Sequence, residues 1–160
     1  MNTHRPHEVQ DPVVEEYSRN AKVYDTKWSF YVEATIRETM SRFSLRPTDR
    51  LLDVGCGTGT LLHRLSATYP GAQLSGVEPV PKMLAIARRR LSPSIELHEG
   101  WAERLPFASE QFNHAHFKTY RERECVQLLQ EAGYAVVHID RYRINWLWGM
   151  MTARVMKDTA

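Results

Sequence analysis

Two hydrophobic periods follow one another along the chain, and their order sets the expected architecture. Trp28, Val32, Ile36, Met40 and Phe43 recur every three to four positions, the spacing of one buried helix face. Pro47 then bars any continuation of that helix, since proline lacks the N–H that a helix interior needs. Upstream, Asp11-Pro12 reads as an N-cap followed by proline at the first helical position, opening a helix through Glu15, Glu16 and Tyr17. From residue 51 the period changes. Short apolar runs at 51–54, 73–77 and 95–98 read as strands, with helices at 61–69 and 81–91 between them. Strands alternating with helices argue for βαβ units and a mostly parallel sheet.

The segment 112–117, Phe-Asn-His-Ala-His-Phe, breaks this pattern, because a central strand in such a sheet should be almost continuously apolar. An amphipathic helix follows at 121–133, with Cys125, Val126, Leu128, Leu129 and Ala132 inward and Gly133 as its stop. Two strands, 134–140 and 145–156, close the chain. No repeat or low-complexity tract interrupts it.

Composition narrows the class. The 160 residues suit one domain able to bury a core without disulfide or metal staples, and 42% hydrophobic with 25% charged residues is the balance of a soluble globular protein. The net charge of +2, from 21 basic and 19 acidic residues, offers no broad field for nucleic acid or anionic lipid. The densest basic run, Arg88-Arg89-Arg90, ends an expected helix, where cations complement the dipole, and reads as a solvated cap. Two cysteines, Cys56 and Cys125, make neither a disulfide framework nor a zinc pattern, so a cytoplasmic location is expected. Residues 1–10 read as a polar, flexible tail without a signal peptide. The apolar run near 146–151 is too short to span a bilayer.

The main chemical signal is Leu51-Leu52-Asp53-Val54-Gly55-Cys56-Gly57-Thr58-Gly59, a strand running into a glycine turn and then a helix. Glycine permits the sharp turn and lets a ligand approach the main chain. The helix start offers unpaired N–H groups to a carboxylate. Glu78, 19 residues beyond Gly59 at the end of the second expected strand, stands where an acid accepts hydrogen bonds from ribose hydroxyls. A dinucleotide fingerprint would require glycine where Thr60 stands, which disfavours a nicotinamide-dependent oxidoreductase.

This loop closely resembles motif I of class I S-adenosylmethionine-dependent methyltransferases. The resemblance extends to their ubiquinone- and menaquinone-biosynthesis-like branch. Tyr17-Ser18-Arg19-Asn20-Ala21-Lys22-Val23-Tyr24-Asp25 is similar to the N-terminal helix that closes over the cofactor in that family. Gly76-Val77-Glu78-Pro79, followed by Met83 to Arg88, resembles its second motif, where the acid holds ribose and the methionine packs near adenine. Gly100-Trp101-Ala102-Glu103-Arg104-Leu105-Pro106-Phe107 resembles a segment usually written Gly-Asp-Ala-Glu-x-Leu-Pro-Phe. Trp101 replaces an aspartate that often accepts from the adenine amino group, so an acceptor is lost and a ring is gained that either stacks or simply packs.

The resemblance implies a Rossmann-like, doubly wound α/β sheet with an antiparallel last strand, and S-adenosyl-L-methionine as cofactor. It implies cofactor contacts at Tyr24, Asp53, Gly55, Cys56, Gly57, Gly59, Glu78, Pro79, Met83, Trp101, Ala102 and Glu103. It also implies a deletion. Phe112-Asn113-His114-Ala115 resembles the start of the fourth strand, whereas the chain from His116 resembles a later segment, so most of strand four, strand five and their helices are expected to be missing. That amounts to about two β-α units of ~30 residues each. The expected organisation is one domain over 11–160, with 11–115 gripping the cofactor and 116–160 supplying the last helix and two strands.

The implied activity is methyl transfer to a small-molecule or lipid-like acceptor, reduced by the shortened acceptor wall. The alternative is a non-catalytic S-adenosylmethionine binder or oligomeric interaction protein. Methyl transfer from a positive sulfur is an in-line displacement that needs alignment more than a fixed catalytic residue. His114 or His116 stands nearest for an acceptor that needs a base, and each reads equally as a strand histidine without chemistry. Two histidines without a third ligand make no metal site. Trp146, Trp148, Met150 and Met151 either line an acceptor groove or pack on the last strand. The missing strand exposes an edge, for which a homodimer is the expected cover.

Overall fold

The computed structural model describes residues 12–42, 44–107, 112–118, 122–131, 134–144 and 148–157. Helix α1 (Pro12–Asn20) begins at a proline whose missing N–H is no loss in a first turn. A 3₁₀ turn (Ala21–Val23), α2 (Tyr24–Lys27) and α3 (Ser29–Met40) complete an N-terminal cap. The buried stripe of α3 is Ala34, Thr35, Ile36 and Thr39. Trp28, expected on that face, is instead 47% exposed. It closes α2 through its N–H bond to the Tyr24 carbonyl at 2.9 Å, so the break before Ser29 turns it off the buried face. Phe43 lies outside the described residues.

The sheet comprises β1 (Arg50–Val54), β2 (Gln73–Glu78), β3 (Glu96–Glu99), β4 (His114–Lys118), β5 (Tyr134–Ile144) and β6 (Trp148–Lys157). Helices α4 (Thr60–Thr68), α5 (Pro81–Arg90) and α6 (Glu122–Glu131) connect its strands. Spatial order is β3-β2-β1-β4-β6-β5. β1 pairs parallel with β2 and β4, and β2 with β3, whereas β6 pairs antiparallel with both β4 and β5.

Side chains of a strand alternate between faces. Leu51 and Leu74 therefore join Leu61, Leu62, Leu65, Ala87 and Leu91 under α4 and α5. Leu52, Val54, Val77 and Ala115 meet Cys125 and Leu129 of α6 on the other side. Both faces of β1 are covered, which is why four of its five residues are buried. Strand order reverses at β1, with β2 on one side and β4 on the other. In open α/β sheets a ligand sits beyond the carboxyl ends of the strands at such a reversal.

Within the polar 112–118 segment, His114–Lys118 forms the central strand β4. β4 pairs parallel with β1 at four positions, from Leu51↔His114 to Val54↔Phe117. Its histidines are tolerated because Asp49 and Asp53 on the neighbouring strand side face them. β4 ends at Lys118 and α6 begins at Glu122. Among the described residues, no helix is long and apolar enough to cross a membrane, and no cluster of metal ligands occurs.

Candidate functional site

The turn after β1 is built on three glycines in the left-handed region, Gly55 (φ 76), Gly57 (φ 58) and Gly59 (φ 76). A side chain there would be strained. The amides of Gly55 and Cys56 both donate to the Val77 carbonyl, at 2.8 and 3.0 Å, which fastens the loop to β2. The three glycines then serve different ends. A Cβ on Gly55 or Gly57 would meet nothing within 4 Å, whereas one on Gly59 would meet Leu91 Cδ1 at 2.8 Å. Two glycines thus face open space above the loop, and the third permits close packing against α5. Cys56 is buried in the core between these turns, so its main chain alone is offered to a ligand.

Glu78 ends β2 beside this loop. Its Oε2 accepts from Gly57 N at 2.8 Å and its Oε1 from Val80 N at 3.0 Å. The carboxylate is therefore held in one orientation at the end of the strand. Pro79 leads on to α5. Met83 is buried with Ala21 and Val80, and Tyr24 packs against the same cluster. The Gly100 amide donates to the Glu78 carbonyl at 3.3 Å, bringing the next segment alongside. There Trp101 is 39% exposed, Ala102 is buried and Glu103 is exposed.

The cap reaches this loop through α2. Asp25 Oδ1 accepts from the Thr58 hydroxyl at 2.7 Å. Arg90, in the last turn of α5, donates to the Thr58 carbonyl at 2.9 Å and to its hydroxyl at 3.0 Å. The same guanidinium bonds Thr60 Oγ1 and Asp25 Oδ2. Arg88 and Arg89 are exposed as a solvated cap should be, but Arg90 is not part of one. Burial, reinforced by neighbouring Tyr31, Asp25 and Glu78, pushes the Tyr24 phenol up to about 12, so it stays protonated and able to donate at neutral pH.

A family model described as a methyltransferase domain matches residues 51–137, more than half of the 160-residue chain. The chain belongs to the class I S-adenosylmethionine-dependent methyltransferase family. Demethylmenaquinone methyltransferase of Chlorobaculum parvum is 48% identical over 64 residues, 40% of this chain and 26% of that protein. The enzyme of the same name from Thermotoga maritima is 30% identical over 122 residues, 71% of this chain and 50% of that protein. The chain spans between a quarter and half of the length of these curated relatives. Among solved structures, a chain from a complex of the Haloferax volcanii Trm112 methyltransferase activator superposes with a TM-score of 0.65 and 14% identity, covering 92% of this chain and 99% of that one. At such identity the likeness establishes the fold, a methyltransferase-type Rossmann-like sheet.

This member of the methyltransferase family gives each strand histidine its own carboxylate. His116 Nδ1 lies 2.8 Å from Asp53 Oδ1, with both side chains fully buried. His114 Nε2 lies 3.4 Å from Asp49 Oδ2. His114 is paired with Leu51, at the end of β1 away from the glycine loop, which removes it as a candidate base. Asp49 also accepts from Arg46 N at 2.9 Å, Arg46 Nη2 at 3.0 Å and Asn113 Nδ2 at 2.8 Å. Burial pushes the Asp49 carboxyl up, but these donors outweigh it and hold it well below the usual carboxylate range. Asp25, Thr58, Thr60 and Arg90 form a hydrogen-bonded cluster beside the glycine loop that sequence reasoning did not single out. Thr58 lies inside the glycine motif and Asp25 inside the N-terminal one, yet no spacing ties Arg90 to either.

Proposed function

We propose that this chain binds S-adenosylmethionine between the glycine loop and Glu78 and transfers its methyl group to a small-molecule or lipid-like acceptor. One observation carries the reading. The Glu78 carboxylate is fixed by the Gly57 and Val80 amides next to two glycines that leave open space over the loop. The amino-acid end of the cofactor would lie on the main chain of Gly55, Cys56, Gly57 and Gly59, with Asp53 beneath it. Ribose would meet Glu78 and Pro79, and adenine the surface of Met83, Trp101, Ala102 and Glu103. Tyr24 would close the site from the cap.

When bound, S-adenosylmethionine supplies a methyl group on a positively charged sulfur. The chain's own part is to orient that group, offset its charge with Glu78 and Asp53, and exclude water under α2. Calorimetric titration with S-adenosylmethionine and S-adenosylhomocysteine tests this. Both are expected to bind, and Glu78→Ala to weaken binding at least about tenfold, since it removes charge-assisted hydrogen bonds. No binding of either compound at millimolar concentration contradicts the reading.

A second reading, a non-catalytic cofactor binder or oligomeric interaction protein, is favoured by the direct pairing of β4 with β6. With α6 following β4 so closely, the internal shortening read from the sequence leaves little to form an acceptor wall. Methyl transfer by the wild-type chain to any small acceptor decides for the enzyme. A homodimer belongs to either reading, because β5 is an 11-residue strand at the edge of the sheet. A cytoplasmic location accords with Cys56 and Cys125, both buried and not joined in a disulfide.

A further inference from the structure

Asp53 and His116 stand opposite each other on β1 and β4, and both are completely buried. Only one ring nitrogen and one carboxylate oxygen meet, Nδ1 and Oδ1 at 2.8 Å. Asp53 Oδ2 and His116 Nε2 are buried with no hydrogen-bond partner among the described residues. A buried polar atom without a partner loses its hydration and gains nothing in return. An apolar residue at 116, like Ala115 beside it, would avoid that loss in a central strand. The pair is thus a poor device for stability alone. Its place explains it better, for Asp53 lies two residues before Gly55, directly under the loop at the carboxyl end of β1.

We infer that His116 is a positioning residue for cofactor recognition, holding the Asp53 carboxylate under the glycine loop so that it attracts the ammonium group of the cofactor's amino-acid part. The inference rests on the cofactor reading above. A carboxylate accepts, so the imidazole proton sits on Nδ1 and donates to Oδ1. That bond fixes the carboxylate plane and leaves Oδ2 as its uncommitted oxygen. In a water-poor interior the charge acts on a cation arriving at the loop far more strongly than it would in water. Removing the imidazole frees the carboxylate to rotate, and the attraction loses its direction.

The test compares S-adenosylhomocysteine with 5′-methylthioadenosine, which shares the nucleoside but lacks the amino-acid part. Dissociation constants are measured by calorimetry for wild type, His116→Leu and His116→Asn, with circular dichroism and thermal unfolding as checks of the fold. His116→Leu is expected to weaken S-adenosylhomocysteine about tenfold, the effect of losing one hydrogen bond to a charged group, and to leave methylthioadenosine within about twofold. His116→Asn, whose amide nitrogen can occupy the Nδ1 position, is expected to restore most of the lost affinity. Should His116→Leu not fold, Asp53→Asn, isosteric and uncharged, carries the same expectation. Equal weakening of both compounds, or no change in either, overturns the inference and leaves the cofactor reading standing. Failure of the wild-type chain to bind S-adenosylhomocysteine overturns both.

Discussion

Asp49 is a well-supported carboxylate, and it lies away from the candidate site. Arg46 supplies a backbone and a side-chain donor, and Asn113 an amide, to an almost completely buried group. The Arg46 side chain is 71% exposed, so water screens its charge, while its hydrogen bonds, its backbone N–H and Asn113 all act on the carboxylate. The folded-state pKa is depressed. Its contribution to stability is therefore complete above the unfolded value of about 4 and is lost as pH falls below that toward the folded value. Asp49→Ala is expected to lower unfolding free energy by about 2 kcal/mol at pH 7, by stranding buried donors, and to flatten the decline of stability below pH 4. Urea unfolding of both proteins between pH 3 and pH 7 measures this, and an unaltered acid slope in the variant counts against it. At this scale the sequence was partly legible. Asp53, the three glycines and Glu78 stand out because turn geometry and ligand approach restrict residue type locally. Asp49, Asn113 and His114 do not, because the β1–β4 pairing that joins them spans more than 60 positions.

At the scale of elements, the glycine loop and the N-terminal cap form one unit. Arg90 ends α5, Asp25 lies in α2, and Thr58 and Thr60 border the start of α4, so a single guanidinium fastens three helices. Its charge pair with Asp25 is about a quarter exposed on each side, and such pairs add little to global stability, about 1 kcal/mol or less. Its effect should instead be local. Arg90→Met is expected to shift the melting temperature little while making residues 12–28 several-fold more sensitive to limited proteolysis, in keeping with a cap that opens separately. Cleavage at the wild-type rate would show that the apolar contacts of Ala21, Tyr24 and Met83 hold the cap without it. The helices and strands from β1 to β3 match the periodic pattern to within one residue at each end, since α4 and α5 have a single buried stripe and β1 and β2 are covered on both faces. β4 was less legible because a buried and a half-buried histidine obscure the apolar signal of a central strand, and the carboxylates beside them explain their presence. Trp28 failed differently. Its spacing continued the α3 stripe, but a break between two helices rotates whatever stands there.

For the whole molecule, the decisive arrangement is a sheet in which β4 pairs with both β1 and β6. Strands β3, β2, β1 and β4 run parallel in that order, and the chain covers half or less of the length of the demethylmenaquinone methyltransferases it resembles. Strand order past β4 could not be read from the sequence, because it depends on which strand edges meet and not on any local pattern. The long edge strand β5 predicts self-association. Light scattering at micromolar concentration should give the mass of two 18.6 kDa chains, and a monomer would contradict the dimer. The central claim is that the glycine loop and Glu78 form one S-adenosylmethionine site. A crystal structure of the chain with S-adenosylhomocysteine tests it most directly. The account predicts ribose hydroxyls within hydrogen-bonding distance of the Glu78 carboxylate and the amino-acid end over Gly55 and Gly57. Ligand density elsewhere on the chain, or none at saturating concentration in a folded protein, would contradict it.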